Sequence, residues 1–327
     1  MPTMNMVEAI RSTLHAEMAR DERVMVLGQD VGKMGGVFRA TDGLQGQFGE
    51  DRVVDTPLAE SAILGASLGL AASGMLPVAE IQFLSFAHLG FHQIAHQISR
   101  TRFRSQGRIT CPVTIRAPFG AGVRALEIHS DAHEAMYAQV AGLKIAAPAT
   151  AYDAKGLLAT AIRDEDPVLV IEPLRGYRLV KDEVPEEDYT VPLGKARVAR
   201  EGEHITLIAW SGMVPIVVRA AETLAREGIS AEVIDLRSIV PLDVDTLAAS
   251  VTKTGRAVVV QEGPMTAGFA AEVATSITEE AFYSLEAPIA RVTGPDTPYP
   301  FATALEEFYY PSEARIVGAA RLTVGAV

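Results

Sequence analysis

Glu60 closes the run VVDTPLAE, a short β-branched stretch that ends in a proline turn. That spacing puts a carboxylate at the start of a helix and at the carboxyl edge of a sheet, where the sites of open α/β folds gather. A first-turn carboxylate favoured by the helix dipole is the plainer account. His129, Asp131 and His133 alternate. In an extended segment all three turn to one side, as ligands of zinc or iron would stand, and a metal-dependent hydrolase is the reaction class that follows. If the chain instead enters a helix at Asp131, His129 is left outside it as a single catalytic histidine with capping neighbours. Asp164 and Asp166 lie in AIRDEDPV at the end of a helix, where negative charge is unfavourable unless a cation offsets it. A hard ion held by these oxygens and nearby carbonyls is one account; a solvated acidic loop is the other.

Gly120, Gly122 and Ala125 have the spacing of a dinucleotide fingerprint and follow a strand. No acidic residue stands about twenty positions on to bind a ribose. A glycine loop that shapes a cleft is the better reading.

The elements that carry these residues are legible in the hydrophobic pattern. Asn5 and Glu8 form a capping box ahead of helix-spaced Ile10, Leu14 and Met18, so the start of the chain reads as a helix and not as a signal peptide. From Val24 onward, β-branched runs (VMVL, PVAEIQF, PVTIRAP, VLVIEP) alternate with amphipathic stretches, among them helices over Ser61 to Ala72 and Phe86 to Phe103. This is the pattern of an α/β fold with a parallel sheet covered by helices. It breaks at the charged, proline-punctuated stretch Arg175 to Ala196 and resumes with ITLIAW, AEVIDL, AVVVQE and IARV. The expected organisation is therefore a first α/β domain over 1–178, a linker over 179–199 and a second α/β domain over 200–327. Gly65 and Gly69, four apart among Ala and Ser, let another backbone approach the helix that Glu60 opens. The approaching backbone belongs either to a tightly packed core or to another subunit.

The 327 residues are 48% hydrophobic and 21% charged, enough for sizeable cores in two domains. A formal charge of −12 argues against a nucleic-acid surface. No segment has the length of a membrane span, and the single cysteine, Cys111, suits a reducing compartment, so a cytoplasmic protein is expected.

Taken together, LGQDVGKMGGVF, DRVVDTPLAESAILGASLGLA, PVAEIQF, HSDAHEA, AGLKIAAPATAYDAKGLL and IRDEDPVLVIEP resemble the beta subunits of the thiamine-diphosphate-dependent 2-oxo acid dehydrogenases. That group acts on pyruvate, branched-chain 2-oxo acids or acetoin. The resemblance runs from end to end, with AEVIDLRSIVPLD and RVTGPDTPYP similar to a transketolase-type C-terminal domain. It implies a pyrimidine-binding α/β domain followed by that C-terminal domain. The reaction it implies is oxidative decarboxylation of a 2-oxo acid, with the acyl group passed to the lipoyl group of an acyltransferase component. KGLLATAIRDEDPVLVIEP leans slightly toward the branched-chain enzymes.

The resemblance also implies roles for single residues. Glu60 matches the glutamate that hydrogen-bonds the aminopyrimidine ring nitrogen and favours the tautomer able to activate the thiazolium carbon. Phe86 takes the aromatic position that packs on the aminopyrimidine, with Leu58 and Gln82 flanking the same pocket. His129 matches the active-site histidine that stabilises charge on the substrate adduct or assists acyl transfer. Val113, Thr114, Ala161, Ile162, Asp164 and Asp166 match a structural potassium site. The sequence holds no Gly-Asp-Gly, the motif by which such enzymes hold magnesium and the diphosphate. The resemblance therefore implies a separate alpha subunit that carries them, in an α2β2 heterotetramer. Two stretches depart from the family pattern: Gly28-Gln29-Asp30, where a second acid is usual, and Ser130-Asp131-Ala132-His133-Glu134 after the histidine.

Overall fold

The computed structural model describes residues 2–325. They divide into two compact units, one comprising the chain up to Phe119 with Met136–Leu193, the other Gly120–Ala135 with the chain from Gly194 onward. The division at Leu193 falls inside the stretch read as a linker. The assignment of Gly120–Ala135 to the second unit is a feature the linear reading did not contain. Part of the expected linker is structured, because Lys181–Glu183 pairs antiparallel with Thr3–Asn5.

In the first unit the strands run in the order Lys144–Ala146, Val168–Pro173, Thr114–Phe119, Leu76–Glu80, Val24–Gly28, Val53–Asp55, every pair parallel. The inner strands are buried along their whole length, which is why they read as continuous apolar runs and not as alternating ones. Helix Met6–Arg20 starts at the expected capping box, with Asn5 and Glu8 each accepting the other's backbone N–H, and packs on helix Ala151–Arg163.

Helix Glu60–Ala72 buries Ile63, Leu64, Ser67 and Ala71 and exposes Ser61, Ala62, Gly65, Ala66 and Gly69. A Cβ added at Gly69 would meet nothing within 4 Å, so this small-residue face is not packed into the core of its own chain. The helix expected over Phe86 to Phe103 is present but irregular, wound as 3₁₀ over Leu84–Gly90 and as π over Gln93–Ile98, with a turn at Ser99 and Arg100 before Thr101–Arg104 (α). Gly90, where the 3₁₀ winding ends, lies against the main chain of Glu60. Ser99 closes the π segment, since its N–H and its hydroxyl both bond the Ile94 carbonyl in the wide π register.

The second unit has strands in the order Ala290–Gly294, Ala257–Pro264, Ile205–Ala209, Ala231–Asp235, all parallel, with Arg197–Arg200 antiparallel at the edge. Helices Val214–Arg226 and Glu313–Val324 pack together, as do Val244–Thr254 and Phe269–Ala281. Pro215 in the first turn of Val214–Arg226 sets the starting φ at a position whose N–H has no helical partner.

Candidate functional site

Leu58 and Glu60 follow the carboxyl end of Val53–Asp55, and Gln82 and Phe86 that of Leu76–Glu80, the two strands that flank Val24–Gly28 in the first unit. Three loops there are tied to one another. Thr56 N–H donates to the Gly28 carbonyl at 2.9 Å, and the Asp55 carboxylate accepts from Gly32 N–H at 2.7 Å and from Lys33 N–H at 3.3 Å. Gln82 Nε2 donates to Asp30 Oδ2 at 3.3 Å. Asp30 itself sits at φ +59°, a left-handed conformation that Asp tolerates better than most residues.

Against this rim stands Glu60, 6% exposed, at the first position of its helix. Among the described residues no hydrogen bond or ion pair engages its carboxylate. A carboxylate left without a partner in its own chain is open to one supplied from outside it. The next residue helps to lock the helix start: Ser61 Oγ donates to the Leu89 carbonyl. Phe86 belongs to an aromatic chain in which Tyr177 meets Phe38, Phe38 meets Phe83 and Phe83 meets Phe86 edge to face, with centroids 5.3, 5.6 and 5.3 Å apart. Leu58 is 68% exposed, an apolar side chain with nothing of its own unit to cover it.

Beneath the rim lies a charge cluster that the linear reading did not single out. Arg116, fully buried, donates to Glu80 Oε2 at 2.5 Å and, through two nitrogens, to Glu172 at 2.8 and 2.9 Å; Tyr177 OH also donates to Glu172. Burial raises the Glu80 carboxyl above its ordinary value, against the pull of Arg116. The Arg116 carbonyl also accepts the Ile81 N–H at 2.9 Å, so one residue holds both the main chain and the side chain at the turn that presents Gln82. Polar letters inside apolar strands were the only available signal.

His129 belongs to the second unit. It ends a 3₁₀ turn, Glu127–His129, and its Nδ1 lies 3.3 Å from the Leu126 carbonyl. The chain is therefore not extended there, and His129, Asp131 and His133 do not line one side as the metal reading required. Asp131 and His133 are 3.8 Å apart, and among the described residues no three His, Cys, Asp or Glu side chains are grouped to hold a metal. The helix begins at Glu134, three residues later than the alternative reading placed it, and His129 lies outside it. Glu134 is buried, with Oε1 accepting from Trp210 Nε1 at 3.1 Å and Oε2 unpartnered. Burial pushes its carboxyl up to about 7, against the opposing pull of its own backbone N–H and of Trp210.

At the end of helix Ala151–Arg163, Lys144 Nζ lies 2.8 Å from both oxygens of Asp164, and Arg102 Nε lies 2.5 Å from Asp166 Oδ1. Side-chain cations thus already neutralise both carboxylates. A potassium ion at this place would rest on main-chain oxygens. The Val113 and Ala161 carbonyls each accept one N–H, at 3.1 and 3.3 Å, leaving a second lone pair on each.

Residues 2–179 match the transketolase pyrimidine-binding domain, and residues 194–316 match the transketolase C-terminal domain. The chain is 54% identical over 324 residues to a protein of Staphylococcus epidermidis named pyruvate dehydrogenase E1 component subunit beta, covering 99% of each. It is 52% identical over 321 residues to the protein of the same name from Bacillus subtilis, covering 98% of each. Among solved structures, a split-gene transketolase described as an inactive beta4 tetramer superposes with a TM-score of 0.81 at 25% identity, over 98% of both chains.

Proposed function

The chain belongs to the family of thiamine-diphosphate-dependent 2-oxo acid dehydrogenase beta subunits, and from that premise we propose that it holds the aminopyrimidine half of the cofactor while an alpha subunit holds the rest. The observation that carries this reading is Glu60, nearly buried at the carboxyl edge of a parallel sheet, with no hydrogen bond or ion pair to its carboxylate among the described residues. Glu60 would hold the ring nitrogen of the aminopyrimidine by a shared proton, giving it to favour the imino tautomer and taking it back afterwards. Phe86 and Leu58 provide apolar surface for the ring, and Gln82, anchored on Asp30, lines the same pocket. Bound thiamine diphosphate supplies the carbon nucleophile and electron sink that decarboxylation requires. His129 acts on the substrate side, donating to the oxygen that gains charge. Magnesium and the diphosphate fall to the alpha subunit, because this chain has no Gly-Asp-Gly.

Pyruvate is the substrate we favour. The named relatives carry pyruvate in their names, and they outweigh the slight branched-chain lean of the 155–173 stretch. The acyl group then passes to the lipoyl group of an acyltransferase component. The bare small-residue face of helix Glu60–Ala72 supports a contact with the alpha subunit, completing an α2β2 heterotetramer. No helix among the described residues is long and apolar enough to cross a membrane. A cytoplasmic location accords with the single buried thiol of Cys111 and is checked by cell fractionation.

The test is co-expression with an alpha subunit and measurement of 2-oxo-acid-dependent dye reduction. Glu60→Ala should lose at least about 100-fold in turnover, in line with the usual share of a positioned acid or base. Pyruvate should outperform branched-chain 2-oxo acids in kcat/KM. Unchanged turnover in Glu60→Ala removes the residue from the mechanism.

A further inference from the structure

His129 lies on a segment, Gly120–Ala135, whose three anchor points are all made by the C-terminal part of the second unit. At the entry, Ala121 N–H donates to Glu262 Oε1. Gly120, at φ +77°, lies so close to the same carboxylate that an added Cβ would stand 2.6 Å from Glu262 Oε2. At the waist, Arg124 Nε donates to Glu306 Oε2 at 3.0 Å, while Tyr299 OH holds the other oxygen at 3.2 Å. At the exit, a Cβ on Gly263 would stand 2.5 Å from the Ala132 carbonyl, and Trp210 bonds Glu134. Gly120 N–H also donates to the Asp131 carbonyl at 3.2 Å, closing the segment at its base. Between these anchors the tip is open, with Leu126, Glu127 and Ile128 exposed.

Glu262 is the anchor with the most leverage. It is a buried carboxylate at the end of strand Ala257–Pro264, and it grips main chain, so its hold does not depend on the side chains of the segment. A charge-assisted bond to a backbone N–H is roughly twice as strong as a neutral one. It also acts at the first two residues of the segment, where a small rotation displaces everything that follows.

We propose that Glu262 is a positioning residue for the reaction, fixing the path of Gly120–Ala135 through Ala121 N–H and thereby setting where His129 stands. The proposal rests on the assignment of His129 to the substrate side. It makes the C-terminal domain part of the catalytic apparatus and not only a platform for assembly.

The assembled heterotetramer provides the test, with active sites counted by cofactor titration so that turnover is per site. Glu262→Ala should lower kcat on the order of 10- to 100-fold, the scale of a misplacement of about 1 Å. The affinity for thiamine diphosphate should stay within about twofold, well below the tenfold that corresponds to 1.4 kcal/mol. Glu262→Gln, which keeps an acceptor oxygen, should recover most of the loss. The double variant Glu262→Ala/His129→Ala should be no slower than His129→Ala, because both changes remove one contribution. Losses that multiply, or a kcat that does not change, overturn the proposal. If His129→Ala alone leaves kcat intact, the role of His129 falls, and hydrogen exchange decides the positioning claim. Faster exchange of the 121–135 amides in Glu262→Ala, with Ile205–Ala209 still protected, upholds it; unchanged exchange refutes it. Should Glu262→Ala fail to fold, Glu262→Asp, which keeps the charge but draws the carboxylate back from Ala121 N–H, is scored in the same way.

Discussion

Gly90 packs on the main chain of Glu60: a Cβ built at position 90 would stand 3.3 Å from the Glu60 carbonyl oxygen and would also collide with the Leu64 side chain. The absence of a side chain at one position thus leaves room for the start of the helix that bears Glu60. Gly90→Ala should cost about 1–3 kcal/mol of stability by overpacking. Leu64 can turn away, but the Glu60 backbone cannot, so the carboxylate should shift. The expected outcome in the heterotetramer is a rise of roughly tenfold in the concentration of thiamine diphosphate needed for half-maximal activity, equivalent to about 1.4 kcal/mol. Wild-type cofactor dependence in a folded Gly90→Ala protein would refute the coupling.

Glu134 makes folding sensitive to pH. Its carboxyl is raised from 4.5 to about 7 by burial. Between those values the unfolded chain releases the proton while the folded chain keeps it, so stability falls as pH rises through that window and levels off above about 7. The loss amounts to about 3 kcal/mol at 1.36 kcal/mol per pKa unit. Glu134→Gln, which can still accept from Trp210, should gain melting temperature over wild type at pH 8 and not at pH 5. Parallel melting curves across that range would show that the group does not titrate there.

A potassium ion at the end of helix Ala151–Arg163 should be a stabiliser that acts through carbonyl oxygens, since Lys144 and Arg102 already occupy Asp164 and Asp166. Replacing potassium by choline should lower the melting temperature by a few degrees, roughly 2–4 °C for each kcal/mol lost. Lys144→Met, which leaves Asp164 without its cation, should increase that dependence. Identical melting of wild type in potassium and choline would exclude the ion.

The α/β class and the capped first helix were readable in the linear pattern. Strand and helix periodicity and the Asn5 and Glu8 pair are local properties, written within a few turns of chain. Glu60 was readable as well, because a proline turn ahead of a helix start marks the carboxyl edge of a sheet. The irregular winding after Phe86 was not, since its π segment rests on the bonds of Ser99 to the Ile94 carbonyl and leaves no mark in the apolar spacing. Nor was the convergence of Arg116 with Glu80 and Glu172, whose partners are 36 and 56 residues distant. The metal trio failed for a related reason: alternation aligns side chains only in an extended chain, and a 3₁₀ turn at His129 removes that condition. Glu262 reaches Ala121 across 141 residues. Local spacing encodes which elements form and where an isolated acid must lie. Which distant groups desolvate one another is settled only when the sheets assemble, because burial and pairing belong to the packed chain and not to any segment of it.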